Sequence, residues 1–243
     1  MNREPVFVNY AHRGASQYAP ENTLSAFYLG LAMGANGIET DIHRTRDGVL
    51  VLFHDDALAR VTGAPGMVWD YTLAQLSALS VASKDGRLAD HIVTLEQFLD
   101  HFASKDLRFA VELKQSGVER ETIDMLNRYH MASKTVLTAF DFENLRAARA
   151  YDPAYRIGYL VREDRPEQEQ ALLAIGGEEY CPKAAFLTPQ AVARWHAMGL
   201  NVRAWGIDSP ETMRMACQCG VDGMTVNFPD LLNDYRKETE GRK

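Results

Sequence analysis

The chain has 243 residues, 46% of them hydrophobic and 24% charged, the balance of a globular protein and neither a disordered nor a fibrous one. Its net charge of -7 disfavours a nucleic-acid binder, whose non-specific affinity comes from Lys and Arg neutralising phosphates, but leaves room for a small anionic substrate received by local cations. No run of about 18 apolar residues offers a bilayer span or stable membrane anchor. The opening "MNREPVFVNYAHRG" lacks the basic and apolar regions of a signal peptide. Cys181, Cys217 and Cys219 are odd in number without a CxxC spacing, so free thiols and a cytosolic, cytoplasmic setting are expected.

Along the chain, "VFVNYA" reads as a first strand and is followed by "HRGAS", which is not a Gly-rich dinucleotide turn. "TLSAFYLGLAMGA" places Leu24, Phe27 and Leu31 at helical spacing and stops at Gly34. "NGIETDI" and "VLVLFH" read as the second and third strands. Ala57 to Ile92, with Gly63, Pro65, Gly66 and a modest helix around "TLAQLSAL", then reads as a small insertion over one end of the fold, between the third and fourth strands. "TLEQFLDHF" opens with a Thr94 to Gln97 capping-box pattern. "RFAVELK", "KTVLTAF" and "YRIGYLV" continue the strands, followed by a weak one near "AAFL", then "LNVRAWGI" and "DGMTVN". "SPETMRMACQCG" is a helix with Ser209 as cap and Pro210 at its first position. Eight or nine strands alternating with helices in a chain of this length predict a single (β/α)8 TIM barrel domain over residues 1–243, with 57–92 as the insertion. A doubly wound open sheet is the alternative.

Side chains alternate along a strand, so Glu39 and Asp41 share one face while Ile38, Thr40 and Ile42 share the other. In a barrel the apolar set faces the outer helices, leaving both acids inside near the C-terminal mouth. The same parity turns Glu112 and Lys114 inward and Val111 and Leu113 outward. His12 and His54 each end a strand candidate, where barrel enzymes keep their chemistry. Buried like charges need something positive among them, and a hard divalent cation bound through oxygens meets that need. Structural ion pairs with Arg13, Arg44 or Lys114 are the alternative. His43 has the parity to reach the mouth and is expected at a solvated lip; Asp55 and Asp56 begin a loop that holds His54 in place. His91, His101, His130 and His196 are expected on the surface or in packing. Two imidazoles facing a cation suit a reaction that takes a proton from a nucleophile and gives one to a leaving group. With Arg13 and Lys114 to hold phosphate charge, the set fits hydrolysis of a phosphate ester.

"AHRGASQYAPENTLSAF", "GIETDIHRTRDGVLVLFHDD", "VTLEQFL", "VELK", "AFDFENL" and "VDGMTVNFPDLL" follow one another in an order that resembles the glycerophosphodiester phosphodiesterase family over nearly the whole length. The resemblance implies a barrel like that of phosphatidylinositol-specific phospholipase C and one divalent cation, Mg²⁺ or Ca²⁺ with Mn²⁺ as a further option. It also implies hydrolysis of glycerophosphodiesters to glycerol 3-phosphate and an alcohol, within lipid and glycerol metabolism. By position it makes His12 and His54 the general acid and base, Glu39, Asp41 and Glu112 the metal ligands, and Arg13 and Lys114 the phosphate contacts. It brings Phe140 and Trp205 to the substrate pocket. Ala139 precedes Phe140 where many relatives have Ser, and Gly206 stands where relatives often have Thr. Two alternatives accompany this reading. One is cleavage of larger lipid phosphodiesters in the manner of a lysophospholipase D, with Met67, Val68, Trp69 and Tyr71 as an apolar lip. The other is a non-catalytic phosphodiester-binding protein, against which the intact histidines and acids argue.

Overall fold

The computed structural model describes residues 7–240; Val6, the first residue of the expected first strand, lies outside them. Strand β1 (Val8–His12) leads through a loop to α1 (Leu24–Ala32), where Thr23 accepts the Ala26 N–H and caps the first turn. Strand β2 (Gly37–Arg44) runs parallel to β1, and β3 (Leu50–Leu52) folds back antiparallel on the far end of β2. Next come the short helices α2 (Ala59–Thr62) and α3 (Leu73–Leu76) and a hairpin of β4 (Ser80–Ala82) and β5 (Ala89–His91), which turns near Gly86 at φ +69°. Helix α4 (Leu95–Phe102) carries the capping box, with Thr94 accepting from the Gln97 N–H and the Gln97 side chain accepting from the Thr94 N–H.

From there strand and helix alternate strictly: β6 (Arg108–Leu113), α5 (Glu119–Arg128), β7 (Thr135–Ala139), α6 (Phe142–Tyr151), β8 (Arg156–Val161) and α7 (Pro166–Ala174). They continue through β9 (Glu179–Pro182), α8 (Pro189–Ala197), β10 (Asn201–Ile207), α9 (Pro210–Cys219), β11 (Gly223–Val226) and α10 (Pro229–Glu240). Eight parallel strands, β1, β2 and β6 to β11, pair in sequence, and β1 pairs with both β2 and β11. The sheet therefore closes into a (β/α)8 barrel, which excludes the open doubly wound alternative.

Strand alternation sorts the core. Ile38, Ile42, Phe109 and Val111 point outward into one apolar layer with Phe27, Phe98 and Phe102 of the helices. Tyr10, Ala110 and Val136 form a separate inner cluster on the opposite face. Deeper polar contacts also cross the barrel: Arg203 Nε donates to Glu179 Oε1 at 2.6 Å and its Nη1 to Thr225 Oγ1 at 2.7 Å, all three residues buried.

Two expectations change here. "VLVLFH" is not a barrel stave, because its hydrogen bonds run antiparallel to β2; in barrel order the segment 57–92 falls between the second and third strands. The weak strand near "AAFL" is a 3-10 turn at Ala184–Phe186, and the stave is β9, "EYCP", just before it. Glu and Pro are poor strand formers, and the segment is held by its partners β8 and β10 on either side. The segment 57–92 has its own small core, in which Leu58, Val61, Val68, Leu76, Val81 and Ile92 pack on Val51 and Phe53. Val68 of the expected apolar lip is thus buried and Tyr71 bonds the Pro65 carbonyl, whereas Met67 and Trp69 are exposed.

Candidate active site

The register of the first staves gathers the acids. His12 sits opposite Glu39 across β1 and β2, and Asp41 sits opposite Glu112 across β2 and β6. Glu39, Asp41 and Glu112 are all buried, and each offers a carboxylate oxygen within 4.8 Å of the others. Burial, then Asp41 and Glu112, pushes the Glu39 carboxyl well above its ordinary value, with Arg13 and Arg203 opposing. Burial and then Asp41 likewise raise Glu112, against Lys114. Burial also opposes ionisation of Asp41, but His54, Arg13, Lys114 and a hydrogen bond from Asn22 together hold it below the usual carboxylate range. One oxygen of that carboxylate, Oδ1, is buried without a hydrogen-bond partner. An orphaned anionic oxygen among three converging acids is what a hard, oxygen-seeking cation fits.

Two cations stand beside the acids. Lys114, just past β6, donates to Glu112 Oε1 at 2.8 Å and lies 3.8 Å from Asp41 Oδ1. Arg13 follows β1 with a left-handed backbone, φ +56°, costly for a residue bearing a side chain. That turn lets its backbone N–H reach Glu39 while its guanidinium places Nε 3.3 Å from Asp41 Oδ2 and Nη1 2.9 Å from Glu21 Oε1. Gly14 follows at φ +81°, and a Cβ there would meet the Ala26 backbone at 2.4 Å, so the turn tolerates only glycine.

The histidines face the acids through the same ring nitrogen. Asn227 Oδ1 accepts from Ser16 Oγ at 2.8 Å and from His12 Nδ1–H at 2.7 Å. His12 Nε2 is then left as the acceptor, 3.9 Å from Glu39 Oε2. Burial first, and Arg13 second, push His12 well below its ordinary value, so the ring is neutral at neutral pH and able to take a proton. His54 donates Nδ1–H to Asp55 Oδ1 at 2.6 Å and likewise presents Nε2. It does so from a bend beyond β3 rather than from a barrel strand. His43, expected at a solvated lip, is fully buried, with its ring 6.1 Å from that of Trp69 and Nε2 3.7 Å from Asp56. The segment containing Trp69 covers it.

A cavity of about 390 Å³ is lined by His12, Arg13, Glu39, His54, Glu112, Lys114, Phe140 and Trp205, among others, which is the size of a small-ligand site. Phe140 and Trp205 meet edge to face at 5.0 Å, and the indole N–H donates to the Cys181 and Val161 carbonyls. Gly206 takes φ +70° at a register shift in β10, a backbone that a β-branched residue such as Thr resists.

Sequence reasoning did not single out Glu21, Asn22, Arg60 or Asn227. Asn22 Nδ2 donates to Asp41 Oδ2 at 2.9 Å, and Thr40 Oγ1 donates to Asn22 Oδ1 at 2.8 Å, so Thr40 is an orienting hydroxyl and not only an outward face. Arg60 forks onto Glu21, with Nη2 2.7 Å from Oε1 and Nη1 2.8 Å from Oε2, and its Nε donates to Asp55 Oδ2 at 2.5 Å. A continuous chain thus runs from Arg13 through Glu21, Arg60 and Asp55 to His54. The "APEN" turn and the Arg six residues after His54 were the available signals.

Residues 12–231 match the glycerophosphoryl diester phosphodiesterase family. The chain is 30% identical over 235 residues to a glycerophosphodiester phosphodiesterase of Caldanaerobacter subterraneus subsp. tengcongensis, covering 93% of this chain and 97% of that one. It is 29% identical to one of Bacillus altitudinis, covering 94% and 98%. Among solved structures it superposes with a TM-score of 0.85 on an Oleispira antarctica phosphodiesterase in complex with the product sn-glycerol-3-phosphate, at 26% identity and with 96% and 97% of the two chains covered. Family match, barrel and acid cluster agree, and the chain belongs to the glycerophosphoryl diester phosphodiesterase family.

Proposed function

We propose that the chain hydrolyses small glycerophosphodiesters to glycerol 3-phosphate and an alcohol, with His12 and His54 as the proton carriers. The observation that carries this reading is the pair of imidazoles presenting Nε2 to one cavity beside three buried acids. One histidine takes the proton of the nucleophile as its oxygen bonds to phosphorus, the nucleophile being either water, which gives glycerol 3-phosphate directly, or the neighbouring glycerol hydroxyl, which gives a cyclic phosphate that a water then opens to glycerol 3-phosphate. The other gives a proton to the departing alkoxide as the phosphorus–oxygen ester bond breaks. Asn227 and Asp55 fix the tautomers, so each ring works through the nitrogen that faces the cavity. Arg13 and Lys114 lend positive charge to the phosphoryl oxygens.

Glu39, Asp41 and Glu112 would hold one divalent cation, Mg²⁺, Ca²⁺ or Mn²⁺; such an ion supplies Lewis-acid neutralisation of phosphoryl charge. The reading treats the chain as one barrel domain with segment 57–92 set at the mouth, where Arg60 carries the support for His54. It also places the protein in a reducing, cytosolic compartment, in keeping with three free cysteines and with no helix among the described residues long and apolar enough to cross a membrane.

The test is purified protein with glycerophosphocholine and glycerophosphoglycerol, with and without chelator, coupled to detection of glycerol 3-phosphate. Turnover that needs an added divalent cation is expected; no turnover on either diester with Mg²⁺, Ca²⁺ or Mn²⁺ present refutes the proposal.

A further inference from the structure

Resting on that reading, we infer that Arg162 selects the alcohol side of the substrate, favouring diesters whose leaving alcohol carries a second anionic group over those with a cationic head. Arg162 follows β8 and is exposed, and its guanidinium lies 3.7 Å from the centroid of the Phe140 ring. The same ring lies 5.9 Å from Lys114 Nζ, so Phe140 links the cation beside the acids to the cation at the rim. Arg162 lines the cavity that holds the histidines, and with Phe140 it also lines two adjoining grooves.

The other cations lining that cavity are already engaged: Arg13 with Glu21 and Asp41, Lys114 with Glu112 and Asp41, and Arg203 with Glu179. Among the described residues, Arg162 has no carboxylate within ion-pair distance and no hydrogen bond. The nearby rim acids are occupied or turned to local work. Glu163 pairs with Arg165, Asp141 caps α6 through the Glu143 N–H, and Asp208 accepts from Thr212 Oγ1 at 3.3 Å. A planar, permanently charged fork already resting over an aromatic ring loses little freedom when it binds a phosphate or carboxylate.

The aromatic pair rules in the same direction. Phe140 and Trp205, edge to face at 5.0 Å, would otherwise offer a cage for a quaternary ammonium head. The guanidinium already covers the Phe140 face, so a choline or ethanolamine head meets a like charge there. Asp208 at the rim offsets part of that field, being exposed and on the far side of Trp205 in sequence.

The test compares kcat/KM for three diesters on one preparation of the enzyme: bis(glycerophospho)glycerol, whose leaving alcohol bears a phosphate, neutral glycerophosphoglycerol and cationic glycerophosphocholine. The wild type is expected to favour the anionic-head over the cationic-head diester by about tenfold or more, the scale of one charge contact in a partly desolvated site. Arg162→Gln is expected to bring that ratio towards one and Arg162→Glu to invert it. Because the readout is a ratio within each preparation, partial misfolding of a variant cancels. A wild-type ratio near one, or a ratio unmoved in Arg162→Gln, overturns the inference while leaving the proposed activity standing. An equal fall for all three diesters would make Arg162 a contact of the scissile phosphate and also overturn it. No glycerol 3-phosphate from any of the three overturns the parent reading and this inference with it.

Discussion

Replacing Glu39 by Gln separates a metal site from a set of structural ion pairs, because the two predict opposite signs. Glu39, Asp41 and Glu112 offer oxygens within 4.8 Å of one another. At an effective dielectric near 20, two ionised carboxylates at that separation repel by roughly 3 kcal/mol, before Arg13 and Lys114 offset part of it. Glu39 is the acid whose charge the fold tolerates least, since its carboxyl is raised by burial and by both neighbours. Gln keeps its shape and still offers an oxygen to the Arg13 N–H. In chelator, Glu39→Gln should therefore stabilise the protein by about 2 kcal/mol, which for this size raises Tm by roughly 4–8 °C.

With a divalent cation at a hundredfold excess over its Kd, the wild type gains about 2.7 kcal/mol from binding, again several degrees. Glu39→Gln should lose most of that gain, because one of three anionic ligands has become neutral. Differential scanning fluorimetry with EDTA, Mg²⁺, Ca²⁺ and Mn²⁺ reads both signs in one plate. A lower Tm for Glu39→Gln in EDTA, together with no cation-dependent shift in the wild type, would show that the acids serve only as partners for Arg13 and Lys114.

Arg60→Met should lower kcat about tenfold or more with a smaller change in KM, since it frees Asp55 and with it the His54 ring; Arg60→Lys should recover part of the rate but not the fork onto Glu21. Asp55 sets a pH dependence: burial opposes its charge, but hydrogen bonds from Arg60 and His54 bring its carboxyl down to about 2 from an ordinary 3.8. A depressed acid stabilises the fold above its unfolded value and loses that contribution as pH falls through the folded one, so urea unfolding should show Asp55→Asn weaker by up to about 1 kcal/mol at pH 7, after discounting for exposure, and by less at pH 3. Arg203→Met should cost about 3 kcal/mol in urea unfolding, because it removes the guanidinium bonded to buried Glu179 and leaves that acid only Arg156, at 4.0 Å. Gly206→Thr should cost about 1–2 kcal/mol through its left-handed backbone, and an unchanged midpoint would mean that β10 relaxes there.

What the sequence shows and hides follows from how local each cause is. Period-two alternation is a property of a few adjacent residues, so it turned Glu39, Asp41 and Glu112 to one face, and the register of β2 and β6 agrees. The same rule misassigned "VLVLFH", because a strand's own pattern does not say whether its neighbour runs parallel or antiparallel; β3 is held by Ile42, His43 and Arg44 of β2 in a reversed register. That reversal matters for the site. A barrel stave would have fixed His54 by backbone pairing, whereas a bend beyond a short antiparallel strand leaves the ring to be fixed by side chains. Asp55, Arg60 and Glu21 supply that fixing, from two loops and the short helix α2, up to 39 residues apart, and nothing periodic marks them. His12 needs less help, since β1 carries it and Asn227 sets its tautomer in one contact. The two histidines thus rest on different kinds of support, one on sheet register and one on a chain of ion pairs. Salt should therefore distinguish them: raising ionic strength screens the Arg60 network and leaves the strand pairing intact.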